Sequence, residues 1–585
     1  MGSPDQPAQT LWQPWWLLFP SRTYFSRQKY KHVGETDGQS GVVSDQQEFV
    51  RELKRVNRIA WPMIVVSISQ SVSRLFPIFM LGHLDELSLS SASIGTSFCN
   101  ATGFSVISGM ADALETLCGQ AYGARQYRQV GTFTYAGILG LFLVCLPVSI
   151  LWIYTGKLLI FLGQDPLVSK EAGKYVVWLI PTLFPYAVLH SLIRYLQSQS
   201  LILPMLWISL ASLFINLPIC WAFVFKLNLG SVGAALSICL SYWLNVLLLG
   251  LYVKYSSACK RTHAPFSKEV LFGLQQFFQL GVPSASMVCL EWWSFEIVIF
   301  FSGLLSNPQL EMSVLSICLT FSSLHFQVPY SFGIAASTRI SNELGAGNPQ
   351  AARLILCIVL ILSISEFVLA ATTIFICRRV LGYAFSEDKS VVGYIQEMTP
   401  FLCLSIIVDS LQAILSGVAR GSGWQRIGAY VNLGAYYLVG IPMALLMGFA
   451  LHFKGKGLWI GTIVGAAVQC FLLSIVTSLI DWEKQTLLGR GGGRSASVVA
   501  EAADGRRQRR RQRQRIVCVS GGKGGRRWVS TVEVEADGRT VGVEVEAEAE
   551  GGGGTGGGMV GVEAQGEAAD GGRRRRERRR TVDRF

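Results

Sequence analysis

A chain of 585 residues, half of them apolar and only 15% charged, with a mean hydropathy of +0.39, is too greasy to be a soluble protein of this size. The formal net charge of +13 points at first to nucleic acid, but the stretch after Gln485 carries 21 Lys and Arg against 14 Asp and Glu. About half of the surplus therefore sits in one tail, nucleic acid is excluded as the expected partner, and the partner that the composition demands is a lipid bilayer.

Taken in chain order, residues 1–50 read as a polar tail. Its one apolar stretch, "LWQPWWLLF", is too short to span a membrane and lacks the basic start and small-residue cleavage site of a signal peptide. Apolar runs of roughly 20 residues, enough to cross about 30 Å of hydrocarbon, then recur twelve times. Their centres fall near Ser69, Phe104, Phe142, Ala187, Leu213, Leu244, Glu291, Phe326, Leu362, Ile406, Leu438 and Gln469. The expected division is six transmembrane helices over 51–256, a linker over 257–275, and six more over 276–485. From 486 to 585 the chain is Gly, Arg, Glu and Val, as in "RRQRRRQRQR", "EGGGGTGGGMVG" and "RRRRERRR". That composition cannot build a core, and disorder is expected there.

An even number of crossings puts both termini on one side. Arg125/Arg128, Lys260/Arg261/Lys268, Arg339/Arg353 and Arg420/Arg426 fall in connections on that same side, which the positive-inside rule assigns to the cytosol. The opposite connections include the acidic "HLDEL" and "NPQLEM", along with Arg378/Arg379 and Lys454/Lys456.

The two halves repeat. Gly109/Gly333, Gly123/Gly347, Pro218/Pro442 and Gly233/Gly457 each differ by 224 positions, Pro62/Pro283 by 221 and Pro181/Pro400 by 219. Two six-helix halves in one orientation imply pseudo-symmetry about an axis along the membrane normal and a cleft between lobes, the architecture of a secondary transporter. The fold class is thus all-α, an integral membrane protein of twelve helices in two pseudo-symmetric lobes. The thirteen cysteines are scattered singly, without CxxC pairs or zinc spacing, and no cofactor or metal is expected. No GxxxxGK[ST] motif supports ATP drive, and no nucleophile, base and orienter set supports an enzyme. "NELGAGNP" reads as a turn whose glycines permit positive φ.

Carboxylates inside apolar runs are the informative residues, because a charged acid at a helix centre costs about 2.5 to 3.5 kcal/mol even on lenient insertion scales. "MVCLEWWSFEIVIFF" carries Glu291 and Glu296 with no basic neighbour, and Asp409 lies in the tenth run. Glu291 falls eight residues beyond Pro283, near mid-membrane. At the repeat offsets its counterpart is Gln70, and that of Asp409 is His190, so both acids belong to the second half alone. A carboxyl that accepts either a proton or a cation makes the two compete, and that competition is the physical core of antiport. Ser410 and Gln412 are placed to orient Asp409. Glu296 is about 140° around the helix and 7.5 Å along it from Glu291, so the two do not share a face. Trp292, Trp293 and Phe295 offer π faces to an organic cation, and Gln70 and His190 are candidates to line the other lobe. Arg74 calls for a carboxylate across the lobes or an outer-face snorkel.

At "CLEWWSFE", "STRISNELGAGNPQAAR" and "DSLQAILSGVARGSGWQRIGAYVNLGAYYLVGIP" the chain closely resembles plant members of the multidrug and toxic compound extrusion (MATE) family, and "ALETLCGQAYGA" fits the same pattern. The resemblance runs from Gln46 to Lys484 and includes neither tail. It implies secondary antiport in which a small organic cation or secondary metabolite leaves in exchange for protons, with the proton gradient as energy source, in the plasma or vacuolar membrane. It also carries proton and cargo roles onto Glu291 and Asp409, and a monomer is expected. Asp85, Asp112, Arg74 and "SSLHFQVPYSFG" depart from the family pattern. Sodium coupling and a lipid-linked glycan flippase are the competing readings; a flippase would want a cationic cleft, whereas the intramembrane charge here is mainly acidic.

Overall fold

The structure is a computed structural model and describes residues 38–265, 268–384, 388–490, 528–536 and 539–547. "LWQPWWLLF" and the three basic or glycine-rich tail segments quoted above lie outside the described residues.

Twelve crossings follow one another. They are α1 (Gly38–Gly82), α2, α3 (Tyr127–Ile153), α4 (Pro166–Ser198), α5 (Ile202–Trp221), α6 (Gly230–Tyr255), α7 (Glu269–Ser302), α8 (Pro308–Ala346), α9 (Pro349–Ile376), α10 (Lys389–Ser422), α11 and α12 (Lys454–Ser478). Among the described residues, eleven are helical segments long and apolar enough to span a membrane. The remaining one, α2, is segmented: Glu86–Cys99, a π turn at Asn100–Phe104, Ser105–Ala111, and Ala113–Gly123 beyond Asp112. A similar alternation breaks α11 into Gln425–Asn432, a π turn at Leu433–Gly440, Ile441–Leu445 and a second π turn at Leu446–Ala450. Every centre expected from hydropathy falls inside one of these helices.

The boundaries obey local chemistry. Asp85, Asp165 and Asp388 cap the starts of α2, α4 and α10 by accepting from backbone N–H groups one turn on. Pro166, Pro308 and Pro349 occupy first turns, where their missing N–H costs nothing. In "NELGAGNP", Gly347 takes φ 85° and ends α8, whereas the two residues before it are still helical. The linker is shorter than expected, because helix resumes at Glu269. Glu311 of "NPQLEM" is no loop residue either: it is buried in the first turn of α8 and accepts from Tyr394 Oη (2.7 Å) and Gly455 N (3.1 Å).

Even crossing number places Gly38 and Arg490 on one side, here the terminal side. Apolar packing differs along the membrane normal. One continuous core joins α1–α6 to the terminal-side halves of α8, α9 and α10 through Phe332, Ile340, Ile355 and Ile414. A separate core, with Val298, Leu315, Leu402 and Leu458, fills the opposite-side half of the second lobe. The lobes therefore share one apolar core at the terminal side, whereas the opposite-side half of the second lobe has a core of its own. At the terminal side a Cβ on Gly123 would lie 1.9 Å from the Asn342 carbonyl oxygen, so that position has no room for a side chain.

Beyond Lys484 the helix α13 (Trp482–Arg490) packs on the bundle with Trp482 buried, and the Gln485 side-chain amide donates to the Ser422 carbonyl. A second compact unit covers residues 505–585. Where disorder was expected, it contains an antiparallel pair, β1 (Trp528–Ala536) and β2 (Arg539–Ala547), in the register Trp528 opposite Ala547. The alternation of Val and Glu within each segment is the period-2 pattern of a strand.

Candidate functional site

The second lobe gathers its acids around α7 and α10. Glu291, on α7, accepts a hydrogen bond from the Gln412 side-chain amide of α10 (2.8 Å). Gln469 of α12 is its other amide neighbour, and Asp409 acts on it as a like charge. A chain of buried polar groups fixes that second amide: Tyr436 Oη donates to Gln469 Oε1 (2.7 Å), Gln469 Nε2 donates to Asn432 Oδ1 (2.8 Å), and Asn432 Nδ2 donates to the Met287 carbonyl (2.7 Å), one turn before Glu291. Such a chain locks the amide orientation, because each buried polar atom must be satisfied.

Asp409 accepts from Ser322 Oγ of α8 (3.2 Å). The expectation that Ser410 and Gln412 orient it is not met. Ser410, rotated about 100° from Asp409 by helix geometry, donates instead to Glu366 Oε2 of α9 (2.9 Å), and Gln412 serves Glu291. Glu366 in turn meets His325 Nε2 of α8 (2.7 Å), and His325 acts electrostatically on Asp409. Sequence reasoning missed this Glu366–His325 pair. The signal was present: "ISEF" is a lone acid in an apolar run, and His325 lies within the divergent "SSLHFQVPYSFG".

The remaining candidates separate. Glu296 is half-buried and has no hydrogen bond or ion pair among the described residues. Trp293 Nε1 donates to the Ala101 carbonyl (2.9 Å) in the π turn of α2, so it bridges the lobes. A π turn frees carbonyls from the helical ladder. Trp292, 42% exposed, makes no polar contact of this kind, and the Phe295 ring lies 6.4 Å from that of Tyr436.

In the first lobe, Gln70 lines a small polar pocket with Ser69, Ser73, Ser209, Tyr242 and Asn245. Asn245 and Gln469 are related by the 224-residue offset, so Gln70 with Asn245 is the neutral image of Glu291 with Gln469. The His190 ring lies tilted against that of Tyr186, with centroids 4.2 Å apart, and is near both Arg74 and Arg194. Neither Gln70 nor His190 is joined to Glu291 or Asp409 by a hydrogen bond or ion pair among the described residues.

At the terminal side the lobes are locked by charge. Asp112 and Glu115 of α2 face Arg194 of α4 and Arg420 of α10, all four almost wholly buried. Arg194 pairs with Asp112 and lies 2.8 Å from Glu115, while Arg420 Nε donates to Glu115 Oε2 (3.2 Å) across the lobe boundary. Ser337 Oγ of α8 also donates to Glu115 (2.6 Å), Gln197 Nε2 donates to Thr338 (3.2 Å), and Thr116 Oγ1 donates to the Arg420 carbonyl. Arg420, assigned from sequence to a cytosolic connection, is thus a core residue of the interface. Arg339, likewise assigned, pairs with Glu52 (2.8 Å) and Glu343.

Comparison with known proteins agrees with this architecture. The MatE family profile matches residues 62–222 and 283–446, two copies that begin on the repeat-related Pro62 and Pro283. Protein DETOXIFICATION 14 of Arabidopsis thaliana is 52% identical over 455 residues, 77% of this chain and 94% of that protein. Protein DETOXIFICATION 3 of Arabidopsis thaliana is 51% identical over 434 residues, 74% of this chain and 91% of that protein. The crystal structure of the eukaryotic MATE transporter AtDTX14 superposes with a TM-score of 0.74 at 52% identity, covering 76% of this chain and all of that one. The chain belongs to the MatE family, the multidrug and toxic compound extrusion transporters, and is an integral membrane transporter rather than an enzyme.

Proposed function

We propose that the protein exports small organic cations and plant secondary metabolites by alternating access in exchange for protons, with Glu291 and Asp409 as the groups that hold proton and cargo in turn. The observation that supports this reading most is a contrast. The deep acids of the terminal-side lock, Asp112 and Glu115, are each paired with arginine, whereas Glu291 and Asp409 are held by amides and a hydroxyl. A carboxylate left without a cation in the bilayer must be hydrated, protonated or occupied by a positively charged ligand. Alternating access then exposes both acids to one compartment at a time.

In this cycle a proton arriving from the acidic side displaces the cargo, and cargo arriving from the other side displaces the proton. One pH unit supplies about 1.4 kcal/mol, and 100 mV adds about 2.3 kcal/mol per net charge moved. The terminal side is the cytosol, both termini lie there, the working unit is a monomer, and the membrane is the plasma or vacuolar membrane. Reconstituted vesicles test the coupling ion. With an acidic lumen and no sodium, cargo should accumulate, and collapsing the pH gradient should release it. Accumulation that follows only an imposed sodium gradient at clamped pH would replace protons by sodium.

A further inference from the structure

Arg74 has no acid. The buried Arg194 and Arg420 and the half-buried Arg339 each meet a carboxylate within hydrogen-bond distance, whereas Arg74 is half-buried. Arg74 shows no ion pair among the described residues; it meets Ser71 Oγ at 3.5 Å and lies beside the phenols of Tyr242 and Tyr186. The acid that sequence reasoning sought across the lobes is not supplied, since Asp112 and Glu115 are committed to Arg194 and Arg420. Yet a guanidinium has five donors and stays charged.

Its placement says what the partner could be. Ser67 touches Ser331 of α8 across the lobe boundary (3.4 Å). Seven residues further along α1 is about 700° of helical rotation, within about 20° of the same face and roughly 10.5 Å farther from the terminal side. Arg74 therefore stands on the same stripe of α1 as that lobe contact, and Tyr330 of the second lobe lies near it. Next to it opens the pocket lined by Ser73, Gln70, Tyr242 and Asn245, groups that donate and accept hydrogen bonds without charge. The buried acids Glu291, Asp409 and Glu366 belong to the second lobe.

We infer that Arg74, with Tyr186 and Tyr242, is an anion subsite on the first-lobe wall, so that the preferred cargo is amphoteric: an organic cation that also bears a carboxylate. The inference rests on the reading of the cleft as the cargo path. The carboxylate of the cargo supplies the acid that Arg74 lacks, and its cationic centre goes to the acids of the second lobe.

A matched pair of probes tests it: a rhodamine with a free carboxylate and its methyl ester, equally cationic at the amine end. Binding to the purified full chain is read by dye anisotropy, and pH-driven uptake is read in vesicles. The wild type should bind the free acid about tenfold more tightly than the ester. Arg74→Gln should erase that preference while leaving ester binding and ester uptake within about twofold, and Arg74→Lys should keep part of it, because it retains the charge without the planar fork. Retained ester uptake shows that the variant is folded and coupled. Equal binding of both dyes by the wild type, binding of neither, or an Arg74→Gln effect that is the same on both dyes would overturn the subsite. Loss of pH-driven ester uptake in the wild type would instead count against the antiport reading.

Discussion

Replacing Glu291 by glutamine lowers pH-driven uptake by about 5- to 150-fold, the range that corresponds to a coupling of about 1–3 kcal/mol between two ligands of one protein. The amide is nearly isosteric and its carbonyl oxygen still accepts from Gln412, so the α7–α10 contact at 2.8 Å survives. What disappears is the ability to exchange a proton for a cation. Asp409→Asn should act in the same direction, with Ser322 still donating to the remaining oxygen. Because Asp409 acts on Glu291 directly, the double variant should lose less than the product of the two single losses, as neighbouring sites do. Vesicle uptake at fixed pH gradient, normalised to the inserted protein, reads all three variants. Uptake that remains at the wild-type level in both single variants would remove these acids from the cycle.

The second large effect concerns the lock. Removing one partner from a buried ion network costs about 3–5 kcal/mol, because it strands a charge without compensation. Glu115→Gln leaves Arg194 and Arg420 sharing Asp112, whose distance from Arg420 is already 4.0 Å. The cost falls on the closed terminal side alone, since opening there would hydrate both guanidinium groups. Inverting a two-state equilibrium from 1:99 to 99:1 takes about 5.5 kcal/mol, so a bias of about 3–5 kcal/mol carries the protein most of that way toward the state open at the terminal side. Ser341, fully buried beside Gly119 of the other lobe, reports the change. A Ser341→Cys variant should react with an impermeant maleimide at least about tenfold faster when Glu115→Gln is added, consistent with the population arithmetic. An unchanged rate over the background of native cysteines would show that the ionic cluster does not hold the lobes together.

Much of this was legible in the sequence, and the reasons are physical. Hydropathy located the twelve crossings because each helix must present about 20 apolar residues to lipid, and it did so even for α2, whose π turn and break at Asp112 divide it into short segments. The repeat offsets survived because glycines and prolines sit where backbones approach or bend. Glu291 and Asp409 stood out because an unpaired acid in an apolar run needs an explanation. The same logic applies to Glu366, whose partner His325 is distant in sequence but adjacent in space.

The lock was not legible. Asp112, Glu115, Arg194 and Arg420 belong to three helices, and Glu115 and Arg420 are 305 residues apart. An arginine near a helix end fits a cytosolic loop equally well, so Arg420 was misplaced until its neighbours were known. Ser410 shows a different limit. Adjacency in sequence suggested that it serves Asp409, yet consecutive helical residues diverge by about 100° and serve different partners. The β1–β2 pair was hidden by composition, since the glycine and arginine around it outweigh the alternation of Val and Glu within it.

The central claim is that proton and cargo compete for the carboxylates of the second lobe. Proton release on cargo binding tests it most directly: the purified protein in weakly buffered solution near neutral pH, with a pH-indicating dye, is mixed with a permanently cationic cargo. The wild type should release protons in proportion to cargo bound, and the double variant Glu291→Gln, Asp409→Asn should release none. Binding by the wild type without release, or release undiminished in the double variant, would contradict the account.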